Sequence, residues 1–168
     1  VQTLANWNGA SELPALNGAT SYVTVAENTA DNSAMHLDRS VWFKGMDVRS
    51  VGFQTTADAG CSFWLGSLGL ATPASQTFRI GAPLMLTAEQ EWAIGSGGQI
   101  VVDAAVSSLT ADETRILGTG SVGILELNVA APHWGAPVVV SNLNVQFNAA
   151  HALGPKVAPF ATIYHHAT

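Results

Sequence analysis

The sequence is short of charged residues. Only 11% of its 168 residues are Asp, Glu, Lys or Arg, whereas an ordinary soluble domain has about 25%. A compact monomer of this mass exposes roughly 7,900 Å², which leaves about one charge per 440 Å² of surface, less than half the usual density. Either uncharged polar side chains keep this surface soluble, or other subunits cover much of it.

Basic residues are the scarcer of the two charged classes. Six Lys and Arg stand against twelve Asp and Glu, which gives a net charge of −6 and an isoelectric point near 5.1. Contacts with nucleic-acid phosphates depend on Lys and Arg, so the composition argues against a DNA or RNA partner. No apolar run approaches the ~20 residues that span a bilayer, and no basic segment leads into an apolar stretch at the start. We therefore expect neither a membrane span nor a signal peptide.

Cysteine occurs once, at Cys61, which excludes an internal disulfide and a cysteine-based zinc cluster. Its neighbours in the stretch CSFWLG are apolar, which indicates a buried and unreactive thiol. The absence of disulfides favours assembly in a reducing compartment, so we expect assembly in the cytoplasm.

Short apolar runs separated by Gly, Pro and polar residues are what the sequence has in abundance. Their turn signals recur at roughly 8–15 residue intervals, which is typical of an all-β domain. We predict a single antiparallel β-sandwich of the jelly-roll type over residues 20–168, with about 8–10 short strands. An immunoglobulin-like sandwich or another Greek key is the alternative. Residues 1–19 contain Asn-Gly twice and show no sustained period, so we predict an extended N-terminal arm.

One short helix is expected within this β-domain, near residues 109–117. Thr110 followed by Glu113 resembles a capping box, in which the two side chains satisfy the first backbone N–H groups of a helix. Gly118 would then end the helix in a left-handed conformation.

The stretch SNLNVQFNAA, residues 141–150, has the period of a strand with one unusual face. Side chains alternate across a strand, so one face carries the apolar residues Leu143, Val145 and Phe147. The other face is a row of uncharged amides: Asn142, Asn144, Gln146 and Asn148. Covering hydrogen-bonded amides costs far less free energy than covering charges. We therefore expect this amide row to lie in an oligomer interface.

Residues arranged for catalysis or metal binding are not evident. The five histidines show no metal-ligand spacing, and no nucleophile or phosphate-loop motif occurs. Glu89 and Glu91 have the same-face spacing that a glycosidase pair requires, but two acids on an exposed edge are common by chance. We expect a non-enzymatic protein with no catalytic, cofactor or metal site.

The five tryptophans divide into two groups by context. Trp42 and Trp64 lie within apolar runs and are expected in the core. Trp7 and Trp134 lie in turn-like loops, beside asparagines and His133 respectively. An exposed indole ring stacks on a pyranose while neighbouring polar groups bind its hydroxyls, so Trp7, His133 and Trp134 are candidates for glycan or partner contact.

Low charge density and the amide strand together predict a structural role. We expect a subunit of a symmetric homo-oligomer, a trimer, attached to a larger protein assembly such as a capsid. A virus or phage decoration or head-fibre protein fits this description, with the virion surface or another extracellular particle as its location. The alternative is a carbohydrate-binding module or adhesin domain that recognises glycans.

Overall fold

The computed structural model describes residues 22–25, 34–110, 112, 114–120, 122–130, 138–150, 152 and 161–164, the last range as backbone alone. Within these ranges the chain forms fifteen strands and no helix. The strands are β1 (Tyr22–Val25), β2 (Ala34–Leu37), β3 (Val41–Val48), β4 (Phe53–Ala57), β5 (Phe63–Thr72), β6 (Thr77–Ile80), β7 (Leu84–Leu86), β8 (Gln90–Ile94), β9 (Gln99–Val102), β10 (Val106–Ser108), β11 (Thr114–Gly118), β12 (Gly123–Leu127), β13 (Val138–Ser141), β14 (Leu143–Phe147) and β15 (Ala161–Tyr164).

Every strand pairing in the described part of the chain is parallel. Successive coils of the chain stack on one another, and the backbone hydrogen bonds of the strands join each coil to its neighbours. One ladder of paired residues consists of Val23, Met46, Leu70, Trp92, Ile116, Val140 and Ile163. The numbering along this ladder advances by 22 to 24 residues per coil. The protein is a parallel β-solenoid.

A full coil has three strand positions, which we call the first, second and third faces. The third face is a separate six-stranded sheet in the order β14-β12-β9-β6-β4-β2. The first and second faces belong to one nine-stranded sheet. The beginning of β5 lies in the first face and pairs with β7, and the end of β5 lies in the second face and pairs with β8. β3 and β5 each run through the first and second faces as one continuous strand. In each of the next two coils this segment is divided into two strands, which are β7 and β8 in the first of these coils and β10 and β11 in the second.

The all-β prediction is confirmed, but the antiparallel jelly-roll sandwich is wrong. A solenoid and a sandwich both consist of short strands with alternating burial and frequent turns, so strand spacing does not distinguish them. The pairing partner does, since each solenoid strand pairs with the strand one coil away. The period that would have revealed this varies from 20 to 25 residues between ladders, and it is carried by inward-facing apolar character, not by repeated residues.

The helix predicted near residues 109–117 is also wrong, because Thr114–Gly118 is strand β11. Thr114 and Ile116 are buried while Arg115 between them is exposed, which is the period of a strand. Gly118 does not end a helix. A Cβ atom added to it would lie 1.8 Å from the carbonyl oxygen of Asn142, so a glycine is required where these two coils approach.

The core is a continuous apolar column inside the solenoid. Most inward-facing residues from all three faces are buried, and Trp92, Phe43, Phe63 and Phe78 are the largest of the fully buried ones. Each such side chain contributes about 1.5–3 kcal/mol to the free energy of folding by leaving water. Contrary to the expectation from the sequence, Trp42 and Trp64 lie outside this core. They alternate with buried neighbours, are only partly buried, and stack against each other with ring centroids 5.7 Å apart.

Candidate functional site

The amide-rich strand is β14, the last strand of the third face. Among the described residues it pairs with β12 alone, so its other backbone edge has no partner there. Leu143 and Val145 pack against the core from this strand. Asn144 and Gln146 are exposed on its outer side. The four amides of the row do not share one environment, and two of them are used within the chain.

Asn142 lies in the turn between β13 and β14, not in the strand. Its φ angle is 54°, in the left-handed region that Asn tolerates better than most residues. Its side-chain nitrogen Nδ2 donates to the carbonyl oxygens of Gly118, at 2.9 Å, and Gly120, at 3.1 Å. These contacts join the turn between β13 and β14 to the preceding coil, so Asn142 stabilises the solenoid itself.

Asn148 continues a ladder of polar side chains on the outer surface of the third face. Its Nδ2 donates to Oδ1 of Asn128, at 2.7 Å, and to Oε1 of Glu126, at 3.2 Å. Asn128 in turn donates to Oδ1 of Asp103, at 2.6 Å, and Asp103 also accepts a hydrogen bond from Arg79. Stacked amides of this kind bond from coil to coil in parallel sheets. Asn148 therefore has hydrogen-bond partners within its own chain.

Asn144, Gln146 and Phe147 remain as exposed groups on β14, the last described strand of the third face. Neither amide makes a side-chain hydrogen bond within the described part of the chain. Phe147 occupies an inward-facing position, directly after Val102 and Leu127 in the same ladder. Those two residues are each 1% exposed, whereas Phe147 is 48% exposed. The alternation along β14 predicts that Phe147 is a core residue. Its exposure results from its position on the last described strand of the third face.

His36, Thr56 and Asp58 form a contact that sequence reasoning missed. Nδ1 of His36 lies 2.9 Å from Oγ1 of Thr56, and Nε2 lies 3.2 Å from Oδ1 of Asp58. A hydroxyl, an imidazole and a carboxylate in this order resemble a nucleophile with its base and orienting acid. The His36 and Asp58 side chains are 57% and 63% exposed, whereas an activated nucleophile works in a site from which water is excluded. We interpret the group as a surface hydrogen-bond network between neighbouring coils.

The remaining candidates are placed as follows. Trp7, His133 and Trp134 lie outside the described residues. Glu89 and Glu91 are both exposed, beside the buried Trp92. Among the described residues, no group of three or more His, Cys, Asp or Glu side chains is arranged to hold a metal ion.

A helix long and apolar enough to cross a membrane does not occur in the described ranges. Comparison with protein-family models, with curated proteins and with solved structures gave no significant match to this chain.

Proposed function

We propose that this protein is a non-enzymatic structural subunit, a solenoid segment that associates with other copies of itself through the exposed end of the third face. The observation that carries the proposal is Phe147, a residue in a core ladder that is half exposed. Burying its exposed part would stabilise an assembly by about 1 kcal/mol per copy.

The edge of β14 supports the same interpretation. Natural proteins protect exposed sheet edges with Lys, Pro, bulges or a covering segment, because an unpaired edge is a template for another strand. The sequence of β14, LNVQF, has no charge and no proline. Asn144 and Gln146 offer both donors and acceptors to a partner, and neither has to lose a charge's hydration when it is covered.

The opposite end of the third face is different. Its terminal strand is β2, yet Met35 and Leu37 in this strand are only 8% and 0% exposed. The first and last described strands of the third face therefore do not present the same apolar surface, and the one that carries Phe147 is the one we propose for association.

The assembly that we propose is a homotrimer displayed on a virion or another extracellular particle, as a decoration or fibre protein. The low density of charge supports the extensive covered surface that such an assembly requires. A carbohydrate-binding role is the alternative. It rests on Trp7, His133 and Trp134, and Trp134→Ala should then abolish glycan binding while the mass in solution stays the same.

The proposal is tested by the mass of the full chain in solution, measured by size-exclusion chromatography with light scattering. We expect an oligomer of the 17.4 kDa chain, and we expect Phe147→Asp to dissociate it to the monomer. The matched control is Leu109→Asp, which places the same charge at an apolar residue that is 60% exposed elsewhere. The control should keep the wild-type mass, and circular dichroism should show that both variants fold. A monomeric wild type, or a Phe147→Asp variant of unchanged mass, would contradict the proposal.

A further inference from the structure

A shallow cavity of about 360 Å³ lies on the outer surface of the second face, away from β14. Its walls are formed by Asp47, Arg49, Ala71, Thr72, Pro73, Ala93 and Thr119. Small-molecule pockets range from about 300 to 1,000 Å³, so this one has room for a ligand about the size of a single sugar ring.

The cavity arises from one outward-facing ladder of side chains. In order along the solenoid, this ladder contains Asp47, Ala71, Ala93 and Leu117. Strands of a sheet are about 4.8 Å apart, and the two alanines are much shorter than the side chains on either side of them. The two alanines therefore leave a depression in the outer surface that is two coils wide and has an apolar floor.

The polar groups of the cavity lie at opposite sides of this floor. Oδ2 of Asp47 accepts a hydrogen bond of 2.7 Å from Nε of Arg49, and the Asp47 side chain is only 14% exposed. A carboxylate accepts through both oxygens, so Asp47 keeps acceptor capacity beside its bond to Arg49. On the other side, Thr119 presents a hydroxyl that donates to the carbonyl of Ile94, at 3.3 Å, and keeps its acceptor lone pairs.

We propose that this cavity binds one neutral pyranose ring of a glycan. Asp47 and Arg49 neutralise each other, so a charged ligand gains little from either one. A pair of ring hydroxyls can donate to Asp47 and accept from Arg49, while the apolar C–H face of the ring lies on Ala71 and Ala93. The site is independent of the assembly proposed above, because none of its residues belongs to β14.

The test is a titration of the ¹⁵N-labelled full chain with three probes, the methyl glycosides of mannose, glucose and galactose, followed by two-dimensional NMR. We expect at least one of them to cause saturable shifts of the amide signals of Ala71, Ala93 and Thr119, with a dissociation constant on the order of 1 mM. Absence of saturable shifts at these three amides with all three probes would overturn the proposal.

Two variants and one control locate the binding. Ala93→Leu fills the cavity with a side chain that the same ladder already holds at Leu117, so the solenoid should accommodate it and binding should be lost. Asp47→Asn should weaken binding at least tenfold. Asp58→Asn removes an exposed carboxylate on a different surface and should leave binding unchanged. Equal affinity of Ala93→Leu and wild type would overturn the proposal, and the mass of each sample tests the assembly separately.

Discussion

Trp92 donates its indole Nε1–H to Oε1 of Gln90, 2.9 Å away on the same strand, and both side chains are buried. Residues two apart on a strand point to the same side, which brings the polar end of Gln90 to the indole inside the core. Nε2 of Gln90 donates in turn to the carbonyl oxygens of Ala88, at 3.2 Å, and Leu65, at 3.5 Å. The glutamine therefore makes it possible to bury a tryptophan completely without leaving its N–H unpaired.

Replacing this glutamine should destabilise the fold. Gln90→Leu replaces the amide with an apolar side chain of similar size and removes the acceptor that Gln90 gives to the buried Trp92 N–H, which costs about 1–3 kcal/mol. Urea denaturation of the wild type, both single variants and the double variant with Trp92→Phe measures the coupling between the two residues. The cost of Gln90→Leu should be smaller when residue 92 is phenylalanine. Additive effects in the double variant would show that the hydrogen bond contributes nothing.

Gly69 and Gly60 are a matched pair of substitution sites, of which only Gly69 lies where neighbouring coils approach each other closely. Both have left-handed φ angles, 60° and 81°, so alanine carries a strain of about 1–2 kcal/mol at either position. A Cβ atom at Gly60 would meet nothing within 4 Å, whereas at Gly69 it would lie 1.9 Å from the carbonyl oxygen of Glu91.

We therefore expect Gly60→Ala to cost about 1–2 kcal/mol and Gly69→Ala to cost more than about 3 kcal/mol or to prevent folding. Thermal unfolding followed by circular dichroism compares the two. Similar melting temperatures would show that the coils can separate locally without loss of stability.

Stability should also depend on the ionisation of Tyr22. Burial raises the pKa of Tyr22 above its ordinary value of 10.0, the Asp47 carboxylate raises it further, and Arg49 lowers it. The folded protein thus holds this proton more tightly than the unfolded chain. Its contribution is complete below about pH 10 and is lost as the pH rises through the pKa of the folded state.

Tyr22→Phe removes this group and should make the free energy of unfolding less dependent on pH above about pH 10. Urea denaturation of both proteins at a series of alkaline pH values gives the comparison. The difference in phenolate absorbance between the two proteins, since the chain has only two tyrosines, gives the titration of Tyr22 directly. Parallel curves of unfolding free energy against pH would contradict the expected pKa shift.

The sequence predicts the strands far better than their arrangement. The alternation in LNVQF correctly separates Leu143 and Val145, which pack on the core, from Asn144 and Gln146, which are exposed. Such alternation reports which side of a strand is buried, and in a solenoid, where one side of each parallel strand faces solvent, it has the same period of two as in an antiparallel sheet. The direction of pairing was therefore not available from burial patterns.

The site residues show the same limit. Asn142 has the residue type of the amide row, but its left-handed φ and its bonds to Gly118 and Gly120 belong to a turn that depends on the preceding coil. His36 pairs with Thr56, 20 positions and one coil away, and Asp58 follows two residues later, so His36 and Asp58 meet only because of the coil. Once the coil length is known, such pairs can be found in the sequence, and without it they look unrelated.

The short offset between paired strands, 20 to 25 residues in every ladder, also has a kinetic consequence. Because every ladder joins residues about one coil apart, the closure entropy for each new coil is similar and moderate, and it is not set by the length of the whole chain. Folding can then begin in any central coil and propagate in both directions, as in other linear arrays. We expect unfolding to start at the outermost described strands, so amide hydrogens of β14 should exchange with solvent before those of β8 and β9 in the middle of the described coils.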